Sequence, residues 1–202
     1  MLVTAKFDFN IWMDQFPERR TDELLKGRIS ISGARYFLTL VTRGRNVGLT
    51  QTHLAEVIVE VWRNQHVEGD YVFHVGTIMP DHIHLLITLG RRLELSKIIS
   101  KMKALTKKGL AQSGLEWQRN YFDHRLRVDD SMDGFSRYIF LNPYRSNLIE
   151  GDEEWPFYTQ NRKYLPEFGQ HLIDGKYPPE EWIRQSIQLE DLIVEDRLHQ
   201  CV

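Results

Sequence analysis

The residues with the clearest chemical potential are two histidines, His82 and His84, in the apolar run Ile78–Leu89. Because side chains alternate along a β-strand, both imidazoles would leave one face of a sheet, while Ile83 and Leu85 would face a core. Two imidazoles alone suit zinc or another transition metal, and an added oxygen ligand would favour manganese or magnesium. The alternative is a pair of histidines on an exposed strand face with no chemical role.

A second polar pair lies about fifty residues further along, in a segment with helical patterning. Tyr138 and Asn142 are four positions apart and would share a helix face. Asn142 could supply a third, oxygen ligand, and Tyr138 could act as a nucleophile. An ordinary tyrosine is only roughly one-thousandth phenolate at pH 7, so it would need a nearby cation or base. The alternatives are a core aromatic and a helix stop before Pro143.

Two further residues could assist this chemistry. Asp81 could orient one of the histidines as a hydrogen-bond acceptor, or it could simply turn the chain after Pro80. His124 could contact phosphate or relay a proton, or it could be a surface histidine. A metal site with a separate tyrosine indicates phosphoryl transfer to a protein nucleophile, with DNA as the phosphate donor.

The charge distribution is more informative than the net charge of −2. Residues 1–148 carry 21 Lys and Arg against 16 Asp and Glu, whereas residues 149–202 carry 5 against 12. The acidic tail would be a solvated helical extension, or it would fold over the basic surface and compete with DNA. Trp117, Tyr121 and Phe122 lie among arginines, a composition that suits stacking on unpaired bases. The predicted contacts to the DNA backbone are Arg43, Arg45, Lys101, Lys107, Lys108, Arg119, Arg125, Arg127 and Arg145.

Hydrophobic periodicity predicts the elements that must position these residues. Asp130 or Ser131 would cap the helix that carries Tyr138, and Asn142–Pro143 would disturb or end it. The order of the predicted strands and helices along the chain indicates an α+β fold, a ferredoxin-like antiparallel sheet with helices packed on one face. The predicted strands are 33–42, 71–79 and the histidine strand as far as Gly90, the predicted helices are 50–65, 96–112 and 130–142, and 117–127 could contain a further strand.

The composition is that of a soluble globular protein of one domain with an appendage, since 42% of its 202 residues are hydrophobic and 27% are charged. The single cysteine, Cys201, allows no disulfide within the chain, which fits a reducing compartment. The acidic residues near the N-terminus argue against a secretory signal, and no apolar stretch approaches the roughly 20 residues that span a bilayer. We therefore expect a cytoplasmic, nucleoid-associated protein without membrane contact.

Several blocks of the sequence resemble the REP-associated tyrosine transposases, a branch of the single-tyrosine HUH transposases, and they occur in the same order as in that family. The resemblance covers roughly residues 25–160. It predicts an N-terminal extension over 1–24, a transposase domain over 25–160 and an acidic C-terminal extension over 161–202. The matching blocks are Tyr36–Thr39, Met79–Leu86, Trp117–Arg127 and Arg137–Arg145, with a weaker match at Glu154–Phe157.

The resemblance implies the HUH fold and a defined reaction. His82 and His84 would bind Mg or Mn, and Asn142 would complete the site. Tyr138 would attack a phosphodiester of single-stranded DNA with hairpins, such as REP-like elements, forming a 5′-phosphotyrosine and a free 3′-OH without ATP. The subunit number, monomer or homodimer, stays open. The alternative functions are a catalytically inactive DNA-hairpin-binding module and a rolling-circle initiator-like nickase.

Overall fold

The structure is a computed structural model that describes residues 30–185 and 189–193. The predicted N-terminal extension, residues 1–24, lies outside the described residues, as does part of the C-terminal extension. Among the helices of the described ranges, none is both long enough and apolar enough to cross a bilayer.

In the described residues, five antiparallel strands form one sheet, in the order β4 (Phe122–Arg125), β1 (Arg35–Val41), β3 (His82–Leu89), β2 (Tyr71–Ile78) and β5 (Tyr158–Gln160). This arrangement confirms the predicted α+β class with an antiparallel sheet. Short 3₁₀ turns occupy Arg43–Arg45 and Glu167–His171. The helices are α1 (Thr52–Val67), α2 (Leu95–Gln112), α3 (Met132–Arg145), α4 (Glu180–Arg184) and α5 (Leu189–Leu192).

The two faces of the sheet are covered by different helices. Ile83 and Leu85 point into a core that includes Ile58 of α1 and Met102 of α2. The opposite face carries the two histidines and lies under α3, because Phe37 of that face packs on side chains of α3. The sequence predicts all helices on one face of the sheet. In the structure, α1 and α2 cover the face of Ile83 and Leu85, whereas α3 covers the face of Phe37 and the histidines. The reason is that Phe37 and its neighbour Leu86 make the second face apolar, so it requires cover as well.

Gly76 of β2 lies in a closely packed part of the core, beside the histidine strand. A Cβ at this position would lie 2.9 Å from Leu85 Cδ2, 3.0 Å from Trp62 Cζ3 and 3.1 Å from the carbonyl oxygen of His84. A larger residue would therefore require the Leu85 side chain, the Trp62 ring or the backbone of β3 to shift, whereas glycine fits without such a shift.

Helix α3 begins as predicted and ends later than predicted. Ser131 caps it, and its Oγ accepts a hydrogen bond from the backbone N–H of Gly134 at 3.0 Å. The helix then continues through Pro143 to Arg145. Pro143 removes one helical hydrogen bond, but the last turn is held by tertiary contacts, since Tyr144 is buried and its hydroxyl donates to the carbonyl of Glu153 at 2.7 Å.

The described part of the C-terminal extension packs on α3 through aromatic side chains. Phe168 is buried, with its ring centroid 5.3 Å from that of Phe140, and the guanidinium of Arg137 lies 5.3 Å from the ring centroid of Trp182. The N–H of Phe168 also donates to Asp133 Oδ1 at 3.0 Å. This part of the chain is a packed layer of the domain rather than a solvated helix.

Candidate functional site

His82 and His84 form the centre of the site, at the start of β3. Their Nε2 atoms are 3.2 Å apart, and both side chains are buried. His82 Nδ1 lies 2.6 Å from Asp81 Oδ1, and His84 Nδ1 lies 2.8 Å from Thr39 Oγ1. Since a carboxylate only accepts, His82 donates from Nδ1, and its Nε2 keeps the lone pair in the neutral ring. The two outer nitrogens, the Nδ1 atoms, are thus anchored by hydrogen bonds, and the two inner nitrogens, the Nε2 atoms, face each other.

This spacing fits two ligands of one cation. Nitrogens each about 2.1 Å from a common ion would be about 3.0 Å apart in octahedral geometry and about 3.4 Å apart in tetrahedral geometry. Within the described residues, no group of three or more His, Cys, Asp or Glu side chains gathers in a way that could hold a metal. A third ligand from these residues would therefore be a neutral oxygen. Asn142, buried on α3, carries such an oxygen.

Asp81 bridges His82 and the guanidinium of Arg45. Its Oδ2 lies 2.6 Å from Arg45 Nη1, while its Oδ1 accepts from His82. Burial alone would raise the pKa of Asp81, but the hydrogen bond from His82 and the positive charge of Arg45 lower it to about 2. Asp81 is therefore ionised at neutral pH, and the structure places it where an orienting acceptor for His82 would stand.

Tyr138 lies against the imidazole pair from the side of α3. Its ring centroid is 5.6 Å from that of His84 and 5.8 Å from that of Phe37. The side chain is 6% exposed. The guanidinium of Arg145 lies 5.5 Å from the centroid of the Tyr138 ring, close enough to favour a developing phenolate. The structure thus brings together the tyrosine and the histidines that the sequence separates by more than fifty positions.

His124 belongs to a neighbouring pair on the same face of the sheet. It stands opposite Phe37 in the register of β1 and β4, and its ring stacks on Phe135 with centroids 5.4 Å apart. Its Nε2 lies 2.7 Å from Oδ2 of Asp130, and the same oxygen accepts from the N–H of Arg127 at 2.8 Å. The sequence pattern predicts Asp130 only as a helix cap. The signal that could have revealed this role is an aspartate six residues after a histidine, within the loop that leads into α3.

Four of the residues predicted to contact DNA interact with another side chain of the protein: Arg43, Arg45, Lys101 and Arg145. Arg43 pairs with Glu116, and Arg45 pairs with Asp81. Lys101 pairs with Glu68 and lies 2.6 Å from Asp70. Arg145 packs on Tyr138. The remaining residues are exposed on the surface: Lys107, Lys108, Arg119, Arg125 and Arg127.

Comparison with known proteins assigns this arrangement to a family. Residues 30–142, more than half of the chain, match the family "Transposase IS200 like", and the chain belongs to that family. A Haemophilus influenzae protein (strain ATCC 51907 / DSM 11121 / KW20 / Rd), named as a REP-associated tyrosine transposase, is 27% identical over 169 residues, which cover 74% of this chain and 88% of the relative. The resemblance to the REP-associated tyrosine transposases is thereby confirmed.

A solved structure has the same fold. It is the structure of a REP-associated tyrosine transposase bound to a REP hairpin, and its TM-score with this chain is 0.58. The two sequences are 20% identical, and the match covers 76% of this chain and 90% of the other. The chain therefore shares its fold with that protein.

Proposed function

We propose that the protein is a metal-dependent transposase that cleaves and rejoins single-stranded DNA at hairpin sequences. The observation that carries this proposal is the contact of Tyr138 with His84, whose Nε2 faces that of His82. A nucleophile and a pair of potential metal ligands are the two parts that such a reaction requires. The hairpin-bound relative supports a hairpin as the substrate.

In the proposed reaction, Tyr138 Oη attacks the phosphorus of a DNA phosphodiester. The Oη–P bond forms and the bond from phosphorus to the 3′ oxygen breaks, which leaves a 5′-phosphotyrosine and a free 3′-OH. The phenol loses one proton and the leaving oxygen gains one, so protons balance and no ATP is consumed. Mg or Mn, held by His82, His84 and Asn142, would polarise the scissile phosphate when bound.

Three neighbouring residues orient or stabilise the reacting groups: Asp81, Thr39 and Arg145. Asp81 and Thr39 anchor the outer nitrogens of the two imidazoles, so the inner nitrogens stay aimed at one point. The guanidinium of Arg145, 5.5 Å from the centroid of the Tyr138 ring, would favour the ionised phenol over the neutral one.

The test is the formation of a covalent protein–DNA adduct. We expect the protein, incubated with a single-stranded hairpin DNA and Mn, to give an adduct that resists denaturing electrophoresis. Tyr138→Phe removes the nucleophilic oxygen and should abolish the adduct. Tyr144→Phe is a matched control on the same helix, because its hydroxyl is already engaged by the carbonyl of Glu153. An adduct that persists in Tyr138→Phe would overturn the assignment of the nucleophile.

One observation favours a second candidate, a module that binds DNA hairpins without cleaving them. Tyr138 is only 6% exposed, which limits the access of a DNA phosphate to this residue. A binding module predicts hairpin affinity that survives Tyr138→Phe, together with no adduct from the unsubstituted protein. The same gel, combined with an affinity measurement, separates the two candidates.

A further inference from the structure

Thr77 of β2 carries a buried hydroxyl group beside the histidine pair. In the register of β2 and β3 it stands directly opposite His84, and Thr39 of β1 stands opposite His84 on the other side. Directly opposed residues of antiparallel strands share one face of the sheet, so all three side chains lie on the face that α3 covers. The side chain of Thr77 is wholly buried there.

The hydroxyl of Thr77 differs from that of Thr39 in its hydrogen bonding. Thr39 Oγ1 lies 2.8 Å from His84 Nδ1, whereas none of the described residues forms a hydrogen bond with Thr77 Oγ1. A buried hydroxyl without a partner costs stability, and a valine of nearly the same shape would avoid this cost. His84 needs no second partner, because its Nε2 already faces that of His82. The Thr77 hydroxyl is therefore available to another group.

Helix α3 spans the row of side chains to which Thr77 belongs. Tyr158 of β5 also stands opposite Thr77, so Thr77 lies between His84 and Tyr158. At one end of this row, Tyr138 of α3 contacts His84, with ring centroids 5.6 Å apart. At the other end, Phe140 of α3 contacts Tyr158, with ring centroids 5.4 Å apart. The part of α3 that follows Tyr138 therefore lies over Thr77.

Asn142 is the polar residue of this part of α3. It follows Tyr138 by one helical turn, and the residues between them are apolar: Ile139, Phe140 and Leu141. The side chain of Asn142 is buried. An amide group presents an oxygen at one end and NH2 hydrogens at the other, and only the oxygen is attracted to a cation. A hydrogen-bond acceptor at the NH2 end would fix which end faces the ion.

We infer that Thr77 is the positioning residue of Asn142: its hydroxyl oxygen accepts a hydrogen bond from the amide NH2 group and turns the amide oxygen toward the imidazole pair. The inference rests on the proposed function, in which Asn142 is the third ligand of the ion. It adds a residue that holds this ligand, as Asp81 and Thr39 hold the two histidines. Each of the three ligands then has a hydrogen-bond partner of its own.

The experiment compares Thr77→Val, which removes the hydroxyl, with Thr77→Ser, which retains it. Binding of Mn²⁺ to the full chain is measured by isothermal titration calorimetry without DNA. We expect Thr77→Val to weaken Mn²⁺ binding about tenfold, and Thr77→Ser to bind as the unsubstituted protein does. In the absence of metal, the Tm of Thr77→Val should be unchanged or higher, because the substitution removes a buried hydroxyl that has no partner among the described residues.

Thr106→Val is the matched control, the same substitution at a buried threonine whose hydroxyl is engaged. Thr106 Oγ1 donates to the carbonyl of Met102 and accepts from the indole N–H of Trp117, both at 2.8 Å. The substitution should lower the Tm and leave the affinity for Mn²⁺ unchanged. The two valine variants thus have opposite expected profiles, which separates a positioning role from a structural one.

A double-mutant cycle tests whether Thr77 acts through Asn142. Asn142→Ala removes the amide that Thr77 would hold, so adding Thr77→Val to it should cause no further loss of Mn²⁺ affinity. An equal loss with and without the Asn142 amide would overturn the inference. Unchanged Mn²⁺ affinity in Thr77→Val would overturn it as well.

The two proposals fail in different ways. If the unsubstituted protein neither binds Mn²⁺ nor forms the DNA adduct, the proposed function fails and the inference with it. If that protein does both, and Thr77→Val binds Mn²⁺ equally well, the inference alone fails. Should Thr77→Val not fold, Thr77→Ala takes its place in both comparisons, because it also lacks the hydroxyl.

Discussion

At the scale of single residues, the imidazole pair depends on the groups that hold its outer nitrogens. Asp81 accepts from His82 Nδ1 at 2.6 Å, and Thr39 lies 2.8 Å from His84 Nδ1. Without them, each ring could rotate or change its tautomer, and the two Nε2 lone pairs would no longer face a common point.

Asp81→Asn should weaken Mn²⁺ binding by about 10- to 100-fold, because the neutral amide accepts more weakly from His82 and no longer balances Arg45. Isothermal titration calorimetry with Mn²⁺ measures the change. Asp152→Asn, at an exposed position, is the control and should bind as the unsubstituted protein does. Equal affinity in Asp81→Asn would remove Asp81 from the site.

His74 provides a pH dependence that can be measured separately from the site. Burial lowers its pKa to about 4, and the positive charges of Arg35 and His66 act in the same direction. The unfolded chain therefore takes up this proton at higher pH than the folded protein, and the folded state loses stability as the pH falls from about 6.5 to 4.

His74→Asn should make the free energy of unfolding less dependent on pH in that range. Urea unfolding at pH 4.5 and pH 7 measures the difference. Part of the dependence should persist, because burial also lowers the pKa of His84. Between pH 7 and pH 8 the variant and the unsubstituted protein should differ by a constant amount, and an unchanged acid dependence would contradict the assignment to His74.

At the scale of elements, the loop between β4 and α3 is organised around the buried carboxylate of Asp130. Its Oδ2 accepts from the His124 ring and from the backbone N–H of Arg127. Since this loop leads into the helix that carries Tyr138, the carboxylate fixes where that helix begins.

Asp130→Ala should lower the free energy of unfolding by about 1–3 kcal/mol, because it leaves two part-buried donors, the His124 ring and the N–H of Arg127, without this acceptor. Urea denaturation measures this loss. The exposed neighbour provides a matched substitution: Asp129→Ala should change stability by less than about 0.5 kcal/mol. Similar losses in both variants would indicate that the Asp130 contacts contribute little.

Elements with strong periodicity were predictable from the sequence. Leu54, Ile58 and Trp62 recur at helical spacing and form the buried face of α1. The alternation around His82 and His84 correctly separated the core face of β3 from the other face. β5 was missed because a three-residue strand carries almost no periodic signal and is defined by its pairing with β2.

The parts that could not be predicted depend on contacts between distant residues. Lys101 lies 31 positions from Asp70, and Arg43 lies 73 positions from Glu116, so their ion pairs leave no local pattern. The approach of Tyr138 to the histidines was predicted from residue types and the family resemblance. The placement of α3 on the second sheet face required the structure, because it depends on how apolar surface is shared between two faces.

At the scale of the whole molecule, the Tyr138 helix lies between the sheet and a C-terminal layer. The aromatic cluster of Phe140, Phe168 and Trp182 forms the contact with that layer. In the described part of the extension, the acidic residues are carried by a segment whose apolar residues are anchored on α3, so this part is not a solvated helix.

Phe168→Ala should destabilise the protein by about 3–5 kcal/mol, since it removes a buried aromatic ring from this contact. Thermal unfolding measures the loss as a lower Tm. Leu165→Ala, three positions earlier at a side chain that is 81% exposed, should leave the Tm nearly unchanged. An unchanged Tm in Phe168→Ala would mean that the C-terminal layer is not part of the cooperative unit.

The close packing at Gly76 ties the backbone of the histidine strand to the core around α1. A Cβ at this position would come within 3.1 Å of Leu85, of the Trp62 ring and of the His84 carbonyl oxygen at once. Under the proposed function, a substitution at Gly76 would therefore reach the imidazole pair through the backbone of β3, at a residue that touches neither the DNA nor its ligands.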